Sequence, residues 1–319
     1  DNLRLGQYSG LRDKGTYALG DLQVVRRNDA SGTWFRASAR NLGLDSPEAR
    51  VEVERQGAWG GFVDFSRITR FDPLVITTGL AGIGTSTVTL KGTALREVQL
   101  STERDRFTLG FDRRLLPGVD FQFRYRGESK DGSRLFGRGS GEFLAEPIGS
   151  RTHQLEATLG YVGESLQLSG GYYGTAFLNR WAALDVASGV DISLPPDSQS
   201  HQLYLSGGYS LGPATRATFK LARSRGIQND GFYTKADFPG NGQTSLNGRV
   251  DTNFAQVGLS TRPLPALSLL VNLRYEDRED KTPRYPFMPA SAGRDGFNTP
   301  FSRTTNNGRI EASWQLPGS

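Results

Sequence analysis

"LLPGVDFQFRYRGE", residues 115–128, holds the fold question in one short stretch. Pro117-Gly118 is a turn signal, and after it Val119, Phe121, Phe123 and Tyr125 alternate with Asp120, Gln122, Arg124 and Arg126. A period of two places the apolar residues on one face of a strand and the polar ones on the other. In a water-soluble sandwich the aromatic face turns inward, whereas in a membrane barrel it meets lipid and the arginines line a lumen. The rest of the chain decides between them.

The same period recurs in "TWFRASAR" (33–40), "ARVEVERQ" (49–56), "GFVDFSR" (61–67), "RFTLGFDRR" (106–114), "HQLEATLGY" (153–161) and "SLQLSGGYYG" (165–174). It continues in "HQLYLSGGYSL" (201–211), "RATFKLARS" (216–224), "FAQVGLST" (254–261), "LSLLVNLRYED" (267–277) and "RIEASWQL" (309–316). Helical periodicity is hard to find, so the chain reads as all-β with roughly 13 strands. Tight turns at Pro117-Gly118, Gly163-Glu164, Gly212-Pro213, Pro263–Ala266 and Pro317-Gly318 recur about every 50 residues, which is a hairpin period. Between them lie polar stretches of roughly 20 to 27 residues, at 73–95, 131–151, 179–200, 227–250 and 280–306, read as loops. Short turns at one end and long loops at the other are the pattern of a large antiparallel transmembrane β-barrel, with turns periplasmic and loops extracellular. A propeller would need four short strands per repeat; here each period holds two strands of about ten residues, the length of a tilted membrane strand.

On the barrel reading the outward row includes Phe35, Ala37 and Ala39; Val51 and Val53; Phe107, Leu109 and Phe111; Leu203, Leu205 and Tyr209; and Leu267, Leu269, Val271, Leu273 and Tyr275. No charge interrupts these rows. The opposite row carries Arg36, Arg40, Glu52, Glu54, Asp64, Arg106 and Asp112, then Asp120, Gln122, Arg124, Arg126 and Glu156. It ends with Lys220, Asn272, Arg274, Glu276, Arg309 and Glu311. These are the expected lumen-facing residues, and Arg36 and Arg40 on one strand face Glu52 and Glu54 on its hairpin neighbour for pairing. The segregation is physical, because a cation on lipid near the midplane costs about 2 to 4 kcal/mol. A soluble sandwich with a polar outer surface fits the alternation but not the loop asymmetry.

Composition narrows function. The mean hydropathy is −0.46, and no window approaches the run of about 18 apolar residues that makes a membrane helix, a limit that does not apply to barrels. Lys and Arg number 38 against 33 Asp and Glu, interspersed without a basic patch, so no nucleic-acid partner is expected. There is no cysteine, which removes disulfides, cysteine nucleophiles and covalent haem attachment through C-x-x-C-H, so any redox cofactor belongs to another chain. The opening residues "DNLRLGQYSG" have no basic n-region or apolar h-region.

Motifs with possible chemistry are few. "GLAGIGT" (79–85) lacks the Lys-Ser/Thr of a P-loop and reads as an extracellular loop. His153 and His201, the only histidines, share the parity of the outward rows, which aims them away from a lumenal active site. Glu52 and Glu54 are neighbours on one strand face and read as wall charges rather than an acid/base pair. Trp34, Trp59, Trp181 and Trp314, with Tyr161, Tyr172 and Tyr209, are candidates for interfacial aromatic belts, with cross-strand packing as the alternative. No catalytic or metal residues are assigned, and the chain reads as a non-enzyme.

"YSGLRDKG" (8–15), "GTWFRASARNLGLDSPEARVEVERQG" (32–57) and "ITRFDPLVITTGLAGIGT" (68–85) resemble the N-terminal region of the MtrB/PioB family of decahaem-associated outer-membrane barrels. The match is dense over the first 90 residues or so and is one of hairpin architecture beyond. The resemblance implies a sheath in the outer membrane of a Gram-negative bacterium that encloses a periplasmic multihaem c-type cytochrome, so that electrons cross the membrane. Haem c would then be carried by that partner, and an extracellular cytochrome would be a second partner on the loop side. Two departures stand out: the family's barrels are about twice this length with some 26 strands, and a cysteine pair found in some members is absent. An odd strand number does not close the usual antiparallel barrel, so residues 1–319 read as one barrel domain, incomplete at both ends. An open diffusion porin or substrate channel is the main alternative, and an outer-membrane enzyme a lesser one.

Overall fold

The structure is a computed structural model describing residues 4, 6–11, 14–90, 94–138, 142–186, 191–233, 243–286 and 296–316. It contains β1 (Gly20–Asn28), β2 (Thr33–Leu42), β3 (Glu48–Arg55), β4 (Trp59–Thr78), β5 (Leu80–Ala81), β6 (Thr87–Leu90), β7 (Arg96–Leu116), β8 (Val119–Arg138) and β9 (Glu142–Val162). It continues with β10 (Leu166–Asn179), β11 (Ala183–Val186), β12 (Ile192–Ser193), β13 (Ser198–Gly212), β14 (Thr215–Gln228), β15 (Gly248–Leu264), β16 (Leu267–Asp280) and β17 (Arg303–Trp314). Thirteen of these form one sheet in chain order, β1-β2-β3-β4-β7-β8-β9-β10-β13-β14-β15-β16-β17, with β1 and β17 as its edges. The strand number matches the periodicity of the sequence. Each neighbour is the next long strand in the chain, which is the order a succession of hairpins produces.

Chain contacts divide the molecule into two units. The first comprises Asp1–Phe111, Arg124–Gln154 and Ala176–Asp197; the second comprises Asp112–Phe123, Leu155–Thr175 and Ser198–Ser319. In the first, β1 to β4 form a regular meander, with Arg36 opposite Glu52 and Val51 opposite Val63. In the second, β13 to β17 run in unbroken antiparallel register except near the short turns. The turn after Leu116 illustrates why Pro-Gly sits there. Gly118 has φ of +78° and its carbonyl accepts from Val162 N at 2.7 Å; a Cβ at Gly118 would strike the Val162 carbonyl.

Strand length departs from expectation. β4, β7, β8 and β9 run 20 or 21 residues, twice a membrane crossing, and the loops expected at 73–95 and 131–151 are largely paired strand. Beyond the membrane neither face of a strand meets lipid, so both carry polar residues and the alternation that identifies a strand fades, although backbone pairing continues. The first unit also contains a four-stranded sheet, β12-β11-β6-β5, in which β11 runs parallel to β6. It is built from residues read as the loops 73–95 and 179–200. Val88, Leu144, Leu184 and Val186 are almost fully buried together, with Leu80, Phe136 and Ile192 against them. "GLAGIGT" takes part in this sheet rather than standing as a free loop; its turn is closed by Thr85, whose hydroxyl donates to the Gly82 carbonyl at 2.7 Å.

Candidate functional site

The feature with functional content is the pair of faces that alternation creates. In the first unit the polar face carries an ion-pair network across β2 and β3. Arg36 donates to Glu52 at 2.9 Å and to Glu54 at 3.2 Å, while Arg50 takes the other Glu52 oxygen at 3.0 Å. Arg50 also lies 3.9 Å over the Phe62 ring and opposite Asp64 in register, and Arg40 lies opposite Glu48. Arg50 was missed as a member of this network, although its parity with Glu52 would have found it. Further along, Arg106 donates to Ser66 at 3.2 Å and Arg126 reaches Gln154 at 3.5 Å. Arg124 makes no ion pair among the described residues.

In the second unit the same face carries Arg114 paired with Asp120 at 3.3 Å. Gln256 donates to Asn272 at 3.2 Å, Arg274 pairs with Glu276 at 2.6 Å, and Arg303 reaches Glu276 at 3.6 Å. Phe254 receives Lys220 at 5.7 Å and Arg274 at 5.0 Å from its ring centre. Arg309 pairs with Glu311 along β17. Gln122 is exposed on its strand, and Asp112 and Glu156 have no ion-pair partner among the described residues. The polar residues therefore form two patches, one in each unit, of mixed sign and largely paired within themselves.

The opposite face is apolar and exposed. In register across the second unit run Ala217, Leu259, Val271 and Ile310, then Phe219, Val257, Leu273 and Gly308, then Leu205, Leu221, Ala255 and Tyr275. Leu205, Leu221, Val257, Leu273 and Ile310 are each between 44% and 77% exposed. A contiguous exposed surface of this kind is far larger than a soluble chain tolerates, and it argues against the sandwich.

Both histidines lie on this apolar side, as their parity requires. Nδ1 of His153 is 2.7 Å from the Tyr125 hydroxyl and Nδ1 of His201 is 2.6 Å from that of Tyr172, and each ring is stacked on its tyrosine. Neither pair includes a nucleophile or carboxylate. Among the described residues no cluster of His, Asp and Glu could hold a metal ion. One belt candidate is displaced: Trp34 lies opposite Glu54 with Arg27 and Arg36 about its ring at 4.7 and 5.0 Å, so it belongs to the charged face. Trp314 lies opposite Leu267 at the turn end of β17 and is 56% exposed.

The model of the family described as "Putative outer membrane beta-barrel porin, MtrB/PioB" matches residues 1–319. The chain belongs to the MtrB/PioB family. It is 24% identical to "Outer membrane protein MtrB" of Shewanella baltica (strain OS185), over 92% of this chain and 48% of that protein, so it spans about half of its relative. Among solved structures it is similar to a loop-deletion variant of OmpT, an outer membrane protein of Vibrio cholerae, at 8% identity and a TM-score of 0.37, covering 96% of this chain and 94% of that one. It is also similar to the CymD monoaromatic hydrocarbon channel at 11% identity and a TM-score of 0.28, covering 84% and 80%. These superpositions are loose.

An MtrB/PioB chain resides in the outer membrane, and in that setting the exposed apolar face is the one that meets lipid. The membrane-crossing part of each strand is then the stretch of about ten residues beside the short turns. On β14, β15 and β16 the apolar row ends at Leu221, Ala255 and Tyr275, and the next position on the same face of each strand is Arg223, Asn253 and Asp277. That change from apolar to polar marks the edge of the hydrocarbon.

Proposed function

We propose that this chain is part of the wall of an outer-membrane sheath that encloses a multihaem c-type cytochrome and insulates its passage of electrons through the membrane. One observation carries the reading within a family of outer-membrane barrels: the face opposite lipid bears mixed, mostly paired charges interleaved with amides and aromatic rings. A pore that selects by charge uses rings of one sign. Mixed and self-paired polar groups suit a wet protein–protein contact, in which hydrogen bonds and bridging water hold a polar partner without a dry core. Arg36, Arg40, Glu52, Glu54, Asp64 and Arg106 would then contact the cytochrome from the first unit, and Lys220, Asn272, Arg274, Glu276, Arg309 and Glu311 from the second. Asp112, Asp120, Gln122, Arg124, Arg126 and Glu156 complete the wall. Haem stays with the partner, the wall acts by positioning and exclusion of solvent, and it performs no catalysis of its own. On the loop side, an extracellular cytochrome would receive or deliver the electrons.

Conductance separates this from an open porin. The full-length barrel in a planar bilayer should pass large ions alone, and addition of its cytochrome should close that current. Equal conductance with and without the cytochrome would favour the diffusion channel.

A further inference from the structure

Above the apolar band the lipid-side face of the second unit becomes charged, with Arg223, Arg225, Arg249 and Lys281 beside Asp251, Glu279 and Asp277, the last of which accepts from the Thr304 hydroxyl at 2.8 Å. The row Leu205, Leu221, Ala255, Tyr275 is followed in register by Leu203, Arg223, Asn253, Asp277, and then by His201, Arg225, Asp251, Glu279. Arg249 lies two residues from Asp251 on the same face, and Lys281 N donates to the Arg249 carbonyl at 2.7 Å. Asp251 has a side chain only 3% exposed. Its oxygens accept from Arg225 at 2.8 Å and Arg249 at 2.7 Å, with Lys281 at 3.5 Å. One buried carboxylate serves three cations. Glu279 occupies Lys281 at 2.9 Å, and Arg223 is exposed with no ion pair among the described residues. The outer edges of Arg225 and Arg249, together with Arg223, therefore offer guanidinium donors that no acidic group among the described residues of this face consumes.

Height fixes what these donors meet. Asp251 lies 13 residues before the Leu264 end of β15. At about 3.3 Å per residue and a tilt near 45°, that is roughly 30 Å from the short turn, just past the apolar band of about 25 Å. The long-loop end of an outer-membrane barrel faces outward, so the cluster lies at the level of the outer-leaflet headgroups.

We propose that Arg223, Arg225 and Arg249 bind a phosphate group of the phosphorylated glycolipid of that leaflet, lipid A. Guanidinium forks match phosphate geometry in two parallel hydrogen bonds, which a lysine point charge does not. Asp251, buried beneath them, holds two of the guanidinium groups in place before the lipid arrives, which lowers the ordering cost of binding. Leu203 lies level with Arg223, and Leu205 and Leu221 lie directly below on the same face, so acyl chains run along apolar side chains while the phosphate is held above. A soluble anion would use only the upper half of this arrangement.

Native mass spectrometry of the full-length protein in detergent, titrated with lipid A, tests the proposal. The expected result is retention of lipid A by the wild type, about tenfold weaker retention by R225Q/R249Q, no retention of dephosphorylated lipid A, and no displacement by millimolar inorganic phosphate. Because R225Q/R249Q leaves Asp251 with Lys281 alone of its three cations and risks misfolding, R223Q is the second variant; Arg223 has no ion pair to lose among the described residues, and its replacement should weaken retention about threefold. Wild-type retention by R223Q, equal retention of the dephosphorylated lipid, or displacement by phosphate would each overturn the assignment.

Discussion

At the scale of the residue, neighbours on one strand have opposite fates. Val271 lies on the lipid face between Leu259 and Ile310, near the middle of the apolar band, while Leu270 lies on the polar face between Ser260 and Glu311. Val271→Arg should cost about 2 to 4 kcal/mol and reduce the folded, heat-modifiable band on gels, whereas Leu270→Arg should assemble nearly as the wild type. Equal tolerance would mean the faces are reversed or the chain is not in lipid. Asp251 gives a pH signature outside the membrane-crossing stretch. Hydrogen bonds from Arg249 and then Arg225 hold its carboxyl well below the ordinary carboxylate range. A depressed folded value stabilises fully above the unfolded pKa of about 3.9 and is lost only as pH falls through the folded one. Asp251→Asn should therefore lower the melting temperature by the same amount at every pH from 7 down to about 4, with the difference closing only in stronger acid. A difference that closed between pH 7 and 5 would assign the effect to another group.

At the scale of the element, the short turns and long connections divide the chain between two sides of the membrane. Trypsin added to intact cells should cut within the connections 229–247 and 281–302 and spare Arg113, Arg114 and Arg216, which lie beside turns. Mass spectrometry of the fragments reads this directly, and cleavage beside the turns alone would invert the orientation. Cutting at Arg134 and Arg151 should be slow, because there the chain is paired in β8 and β9 rather than looped. Strands are legible in the sequence only as far as the lipid edge. Within the membrane each strand alternates because one face meets lipid, so Leu203 and Leu205 on β13, or Leu269, Val271 and Leu273 on β16, reveal both the strand and its facing. Past the lipid edge, "GESKDGSRLF" is polar on both faces and looks like a loop, although it is paired. The four-stranded sheet was hidden for a different reason. Its strands are two to four residues long, and Asp185 pairs with Thr87 across almost a hundred residues, so no local period announces it. The Asp251 cluster joins β14, β15 and the end of β16, and depends on register that one strand does not contain.

At the scale of the whole molecule, the wall is expected to hold its partner through many weak contacts. Isolated exposed ion pairs contribute about 0 to 1 kcal/mol each, so reversing Arg274 alone should leave the cytochrome bound, while Arg124, Arg126 and Arg274 changed together to Glu should release it. Haem content of the purified complex measures both, and full release by the single change would point to a hot spot in place of a distributed surface. Occupancy of the barrel by a cytochrome is tested most directly by the absorption spectrum of the full-length protein purified from its native membrane in mild detergent. This chain has no cysteine for covalent haem, so a Soret band that comigrates with it in fixed proportion reports the partner. That band is the expected result; a folded barrel that purifies from cells making the cytochrome, with no haem absorbance, would contradict the sheath.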